Sequence, residues 1–379
     1  MILKPLKKLA NIRMKRMNKV KSLYIHIPFC DSICDYCDFT KLLYNNNFAS
    51  EYLESLKREL KQYSPFFVET IYIGGGTPTS LPYDNLVFLL NEVSKYATNV
   101  KEYTVEANPE NLTKEKLALL KEYGVNRLSI GVQTTNDEIS RKINRGHTFE
   151  QVQEAVKNAR EIGFSNINID LIIGLPNVTK MMFEKDLESI ISLGVDHISC
   201  YSLTVHPNTV FYSKNIEEPT PEFGRELYDF AHEFLAKNGY VHYEISNWAK
   251  RGKMSLHNLT YWKNENYFGI GLGASGYLGD VRYKNLTNIQ KYGKPNFIDE
   301  EESLELKDLR TYQLLTNLRT IYGLDLKLFK NTFNEDLLIS KKKEIEELIN
   351  EKLIVVEENK LKPTYEGMMI LDQILLKLI

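Results

Sequence analysis

Short apolar runs rich in β-branched and aromatic residues recur through the first half of the chain, and longer stretches with apolar positions at helical spacing separate them. Six such runs, at 23–27, 71–73, 103–105, 127–130, 167–172 and 197–202, predict strands, with helices predicted over 83–93, 149–162 and 182–193. Strand followed by helix, six times over, argues for a parallel sheet joined by right-handed crossovers. Six units fall short of a closed eight-stranded barrel. The expected fold is therefore α/β, a partial, open (β/α)6 barrel of TIM-like type, extended by a later strand at 240–245.

The pattern changes past residue 300. Charged helices with apolar stripes are predicted at 304–320 and 341–353, then a hairpin from 353–356 and 361–364, then a last helix at 366–378. This reads as a helical, winged-helix-like module. The organisation expected is a basic tail at 1–21, a barrel with its extension at 22–300 and a C-terminal domain at 301–379. The tail carries eight Lys or Arg and no acidic residue. It reads as a solvated tail, or as an upstream extension before a start at Met14 or Met17, with an anionic lipid surface or a targeting segment as the other readings.

A chain of 379 residues with 43% hydrophobic content can bury a large core. A formal net charge of −2 gives no electrostatic reason to expect nucleic acid. No apolar run approaches the roughly 18 residues that span a bilayer, so a cytoplasmic protein is expected.

The chemistry is concentrated after the first strand. Cys30, Cys34 and Cys37 lie close together, and the one further cysteine, Cys200, sits in the apolar run 197–202. A cubane cluster normally takes a thiolate on each of its irons. Three thiolates at this spacing read as the cradle of a [4Fe–4S] cluster with one iron left open for a small molecule. A structural zinc usually takes two separated Cys/His pairs, and no second pair follows. Disulfide frameworks belong to smaller secreted chains. Cys200 reads as a small buried hydrophobe.

The residues that follow the other strands fall on the same rim, where βα-barrels bind ligands. Gly74–Gly76 and Thr77 follow the second strand, Glu106 to Pro109 the third, Gly131 to Gln133 the fourth and Gly174 to Pro176 the fifth. The glycines are expected to let backbone N–H groups approach a ligand. Glu106, Gln133 and Asp170 are expected to bond a ribose hydroxyl or an amino group, with loop capping as the alternative.

The cysteine triple, GGGTPT (74–79), EANP (106–109), SIGVQ (129–133) and DLIIGLP (170–176) together resemble the radical S-adenosylmethionine (SAM) enzymes of the oxygen-independent coproporphyrinogen III oxidase group, over about residues 22 to 290. The resemblance implies a cluster on Cys30, Cys34 and Cys37, with SAM chelating the open iron and cleaved, on reduction, to methionine and a 5′-deoxyadenosyl radical. It carries cofactor contacts to Tyr24, Gly75, Gly76, Thr77, Glu106, Gln133, Arg145 and Asp170. Arg145 would face the cofactor carboxylate. The C-terminal domain would cover the barrel mouth or dock a partner rather than bind DNA.

Two branches of the group differ at one position. The decarboxylating branch has a further cysteine two residues after the third, where this chain has Phe39. The haem-chaperone branch reads CDF there and carries HNxxYW, matched here by His257-Asn258-Leu259-Thr260-Tyr261-Trp262. In that motif His257 would supply an axial nitrogen to haem, and Tyr261 and Trp262 flat faces for the porphyrin. The expectation is a cytoplasmic haem chaperone holding a [4Fe–4S] cluster and SAM, with haem as cargo for respiratory acceptors, some of them at the membrane. Its rivals are radical decarboxylation of coproporphyrinogen III and a non-catalytic iron–sulfur or zinc protein. Homodimerisation is left open. Two departures are expected near the ligand rim: His206 stands where the family has Glu, and 271–277 lacks the Pro and His of the family's GPGAHS segment.

Overall fold

In the computed structural model of the chain, which describes residues 20–63 and 67–379, six strands lie side by side in chain order and all parallel. They are β1 (Ser22–Ile27), β2 (Thr70–Gly75), β3 (Glu102–Ala107), β4 (Arg127–Gln133), β5 (Ile167–Ile173) and β6 (His197–Ser202). Helices α1 (Asn46–Tyr63), α2 (Tyr83–Ser94), α3 (Lys114–Glu122), α4 (Phe149–Ile162) and α5 (Lys180–Ser192) return between successive strands, and α6 (Pro221–Lys237) follows the last. The predicted basic tail lies outside the described residues apart from Val20 and Lys21.

The strands read as nearly unbroken apolar runs because helices cover one face and the barrel interior encloses the other. Leu128, Ile130, Ile167, Ile169 and Leu171 are wholly buried. Helix α4 shows how the covering layer is specified. Thr148 and Gln151 form a capping box at its start, and Gly163 ends it at φ 96°, in the left-handed region that glycine enters without strain. Val152, Ala155, Val156 and Ala159 put an apolar stripe against the sheet. Each valine contributes roughly 1.5–3 kcal/mol by leaving water.

The sheet continues past both ends of the six. β7 (Val241–Glu244) and β8 (Asn247–Ala249) form an antiparallel hairpin whose β8 pairs antiparallel with β6, so the strand predicted at 240–245 is outermost. After α7 (Leu256–Trp262), β9 (Tyr267–Gly271) pairs parallel with β1 at the other edge, a neighbour that the sequence pattern did not reveal. β10 (Ser275–Leu278), β11 (Val281–Asn285) and β12 (Ile298–Ser303) then extend that edge antiparallel. The twelve strands run β12-β11-β10-β9-β1-β2-β3-β4-β5-β6-β8-β7, an open sheet.

The C-terminal segment packs α8 (Leu306–Asn317), α9 (Leu326–Phe333), α10 (Lys342–Asn350), α11 (Tyr365–Met369) and α12 (Leu371–Leu378) around Leu314, Phe329, Leu348 and Ile374. A small antiparallel sheet of β13 (Leu324–Asp325), β14 (Ile354–Glu357) and β15 (Lys360–Pro363) completes it. The single last helix predicted at 366–378 is divided at Ile370, where φ is −124°. Tyr365 stacks on His232 of α6 at 3.9 Å and Glu366 pairs with Arg225, which docks this segment on the barrel.

Candidate cluster and cofactor site

The chain leaves β1 through Pro28 into a loop closed at its base by backbone bonds. Leu42 N–H donates to the Pro28 carbonyl at 2.6 Å and Tyr44 N–H to that of Cys30 at 2.9 Å. Two other rim segments clamp the loop from outside. Asp35 N–H donates to the Ile143 carbonyl (3.1 Å), Asn144 Nδ2 to that of Ile33 (2.7 Å) and Phe211 N–H to that of Asp35 (2.9 Å). The Asp35 carboxylate also pairs with Lys214 at 2.7 Å.

Cys30, Cys34 and Cys37 are free thiols that line one cavity of about 430 Å³ at the carboxyl ends of the parallel strands. Donors are aimed at the sulfurs. Thr77 Oγ1 lies 3.7 Å from Cys30 Sγ and Arg145 Nη1 3.4 Å from Cys34 Sγ, while Lys41 Nζ donates to the Cys37 carbonyl. Burial pushes the Cys30 thiol up to about 12 against the Thr77 hydroxyl, and raises Cys37 against the Lys41 charge. Thiolates in this loop therefore need a cationic partner, and soft sulfur ligands with hydrogen-bond donors behind them suit an iron–sulfur cluster. Among the described residues, no group of three His, Cys, Asp or Glu side chains forms a site for a single metal ion.

Gly75, Gly76, Thr77, Glu106, Gln133, Arg145 and Asp170 line the same cavity. Glu106 receives the Tyr72 hydroxyl at 2.6 Å and the Gly75 N–H at 2.9 Å. Asp170 receives Asn168 Nδ2 at 2.8 Å and the Ser129 hydroxyl at 3.3 Å. Burial raises both carboxyls, Glu106 to about 7, against these donors. Gln133 follows a bulge between β4 and β5 and has φ 71°, a strained value for a residue with a side chain. Such carboxylates and amides can receive the ammonium and hydroxyl donors of a small polar ligand.

The geometry differs from two expectations here. Tyr24 does not line the cavity; its hydroxyl donates to His26 Nδ1 at 2.9 Å and its ring lies against Tyr72. The glycine N–H groups are already used, Gly75 by Glu106 and Gly76 by the Ile27 carbonyl at 2.8 Å. Glycine is needed there for close packing, since a Cβ on Gly76 would lie 2.7 Å from the Phe29 carbonyl oxygen. Arg145 donates to Cys34 Sγ, to Asn108 Oδ1 at 3.0 Å and to the Gly131 carbonyl from the wall of the same cavity, with its Nε left without a partner. Tyr72, Asn108 and Ser129 also line the cavity and were missed. Tyr72 and Ser129 sit at alternate strand positions among apolar residues, where an inward-facing polar group was the available signal.

The first part of the chain, residues 24–190, matches the radical SAM superfamily, and residues 304–370 match the HemN C-terminal domain. The chain is 39% identical to "Heme chaperone HemW" of Lactococcus lactis over 93% of its length and 95% of that protein, and 45% identical to the protein of the same name from Bacillus subtilis over 72% and 75%. The chain belongs to the HemW family of radical SAM proteins. The solved coproporphyrinogen III oxidase (HemN) from Escherichia coli superposes with a TM-score of 0.86 over 98% of this chain and 93% of that one, at 23% identity, which establishes a shared fold.

In this member of the HemW family, Phe39 stands on the cavity wall with 63% of its surface exposed, where the decarboxylating branch has its extra thiol. His206 also lines the cavity, with Nε2 3.4 Å from Asp38. The other departure, 271–277, is not on the cavity wall. It turns between β9 and β10 behind the cysteine loop, and a Cβ on Gly273 would strike Thr40.

The HNxxYW segment lies elsewhere. His257 is wholly buried on α7, and Glu102 caps that helix by accepting the N–H groups of Leu256 and His257. Its Nδ1 donates to Thr70 Oγ1 at 2.9 Å, which donates onward to Ser22, and its Nε2 accepts the Tyr261 hydroxyl at 2.8 Å. Both nitrogens of His257 are thus engaged by hydroxyls, so haem ligation through Nε2 would require the Tyr261 bond to open. Tyr261 and Trp262 line a separate cavity against the C-terminal segment. Cys200 is 1% exposed in β6, as a packed hydrophobe would be.

Proposed function

We propose that this chain is a haem chaperone that holds a [4Fe–4S] cluster on Cys30, Cys34 and Cys37, binds SAM beside it and passes haem to haem-requiring acceptors. The observation that carries the reading is a single cavity lined by all three thiols, by Glu106 and Asp170, and by Phe39 in place of a fourth thiol. The extent of similarity to relatives named as haem chaperones supports the cargo. When bound, the cluster supplies an electron and an open iron to SAM. The chain's own part is to position the cofactor. Glu106 and Asp170 receive its ammonium and ribose hydroxyl groups, Thr77 and Arg145 donate to the sulfurs of Cys30 and Cys34, and the loop clamped at Asp35 keeps the thiols in place.

The reading places the protein in the cytoplasm, where thiols stay reduced, working beside the membrane on respiratory acceptors. The test is an anaerobic haem titration of the cluster-reconstituted chain, followed by Soret absorption and by transfer to an apo-cytochrome. Saturable one-to-one binding with transfer is expected. Absence of specific haem binding, together with release of carbon dioxide from coproporphyrinogen III, would assign the chain to radical decarboxylation instead.

A further inference from the structure

Beneath Asp170 on the cavity wall runs a row of buried polar side chains. Ser129 of β4 stands in register with Asn168 of β5, Asn168 with His197 of β6, and Asp170 itself with Ser199 of β6. Residues two apart share a face of a strand, so Asn168 and Asp170, and likewise His197 and Ser199, turn to the same side. Asn168, His197 and Ser199 are buried, and neither Asn168 nor His197 lines the cavity. A wholly buried histidine at this place touches no ligand, so its use lies in what it holds.

One fixed point orders the protons of this row. A carboxylate only accepts, so the Asn168 atom 2.8 Å from Asp170 Oδ1 is its amide nitrogen, which also donates to Ser129 Oγ at 2.7 Å. The Ser129 hydroxyl donates onward to Asp170 Oδ2 at 3.3 Å. The Asn168 carbonyl oxygen then faces the other way, and both groups beside it donate. They are His197 Nδ1 at 2.6 Å and the Ser199 hydroxyl at 3.2 Å, the latter shared with the Asp170 carboxyl. His197 therefore carries its proton on Nδ1, since the other tautomer would set two lone pairs against each other. Its Nε2 accepts the Tyr243 hydroxyl at 2.8 Å, and Tyr243 in turn accepts the Ser255 N–H at 3.3 Å. Burial, followed by the Arg127 charge, holds the imidazole neutral.

We propose that His197 is a positioning residue for the cofactor: its Nδ1–H locks the Asn168 amide in the orientation that donates to Asp170 and Ser129, and so aims the Asp170 carboxylate into the cavity. The inference rests on the reading of Asp170 as a SAM contact and adds a residue that touches neither SAM nor the cavity. Without the Nδ1 proton the Asn168 amide is free to turn over. Its carbonyl oxygen then meets the Asp170 carboxylate, and repulsion swings that group from the position it holds for a ligand. A carboxylate fixed before binding loses less freedom when the ligand arrives, which is how a remote donor acts on affinity.

The test is calorimetric titration of the full, cluster-reconstituted chain with SAM, with the electron paramagnetic resonance of the reduced cluster recorded with and without it. A glutamine amide sits where histidine has Nε2, and an asparagine amide where it has Nδ1. His197→Gln thus keeps a partner for Tyr243 and loses the Nδ1–H, whereas His197→Asn keeps a donor to Asn168 and loses Tyr243. His197→Gln should weaken SAM binding about tenfold and shrink the SAM-induced change in the cluster spectrum, and His197→Asn should weaken it less than about threefold. Asparagine leaves the larger void, so a merely structural role gives the opposite order, and that order overturns the proposal. In an Asp170→Asn chain, whose affinity is already lowered, His197→Gln should add less than about twofold; a further tenfold loss there refutes action through Asp170. If the His197 variants do not fold, Tyr243→Phe leaves the imidazole in place and frees its tautomer. It should weaken SAM binding several-fold beside Asp170 and not beside Asn at that position, and no effect in either chain refutes the proposal. A native chain whose cluster binds no SAM overturns the cofactor reading and this inference with it. SAM binding that His197→Gln leaves unchanged overturns this inference alone.

Discussion

Tyr72 donates its hydroxyl to Glu106 across 2.6 Å at the wall of the cofactor cavity, yet the carboxyl is held up at about 7, because burial outweighs this bond and that from Gly75, and Asp170 adds its charge. From about pH 4.5 to 7 the unfolded chain has released a proton that the folded chain keeps. Stability from this group therefore falls as pH rises through that window. Glu106→Gln is expected to stabilise the cofactor-free chain at pH 8, by up to about 3 kcal/mol, and to change it little near pH 4.5. It should also weaken SAM binding. Thermal melts at the two pH values check this, and an equal effect at both would count against it.

His257 is expected to be structural. Removing it leaves the Thr70 and Tyr261 hydroxyls without their partner and opens a cavity under α7, so His257→Ala should cost about 2–4 kcal/mol in haem-free protein. Burial, followed by the Arg127 charge, lowers its pKa to about 3. The unfolded chain takes up a proton below about pH 6.5 that the folded chain refuses until about 3, so stability falls as pH drops through that range. Denaturant unfolding of His257→Ala should show both the loss at pH 7.5 and a shallower decline towards pH 5. A variant as stable as the native chain would restore the case for a ligand role.

Much of the barrel was legible because buried parallel strands and amphipathic helices write different periods into the sequence, as 167–173 and 149–162 do. The cysteine triple was legible because its thiols are close together in sequence. What escaped depends on contacts between distant segments. β9 joins β1 although the two are over two hundred residues apart in the chain, and β10 can fold back over β9 because Gly269 lacks a side chain, a Cβ there striking the Ser275 carbonyl. A motif also names residues without giving their orientation. HNxxYW directs His257 into a hydroxyl chain and Trp262 into another cavity.

Arg145 should tune the cluster. Its Nη1 is 3.4 Å from Cys34 Sγ, and a donor to a ligand sulfur stabilises the reduced, more negative state. Arg145→Gln should shift the reduction potential negative by roughly 40 mV for each kcal/mol of hydrogen-bond energy lost. A redox titration followed by electron paramagnetic resonance reads this directly. An unchanged potential with weakened SAM binding would return Arg145 to the cofactor carboxylate.

Cys200 and Cys34 should separate cleanly. Cys200 is packed among apolar residues and burial raises its thiol pKa, whereas Cys34 opens on the cavity. Cys200→Ala is expected to leave the iron content of reconstituted protein unchanged at about four per chain. Cys34→Ala should abolish most of it. Iron and sulfide analysis of the two variants decides whether the fourth cysteine takes part.

Gly75 connects the second strand to the cysteine loop through a single side chain. Its φ of 111° already disfavours any other residue, and a Cβ there would lie 2.4 Å from the His26 ring. His26 has little freedom to retreat, because Nε2 donates to the Thr40 carbonyl at 2.7 Å and Nδ1 accepts from Tyr24. Thr40 lies just beyond Cys37 in the same loop, so the displacement should reach the thiols. Gly194 is the control: its φ is 67°, but a Cβ there meets nothing within 4 Å. Gly194→Ala should therefore incur only backbone strain, about 1–3 kcal/mol, with iron content unaffected. Gly75→Ala should incur that strain and also lose cluster occupancy while the circular dichroism of the barrel persists. Equal iron content in the two variants would show that His26 does not transmit the change.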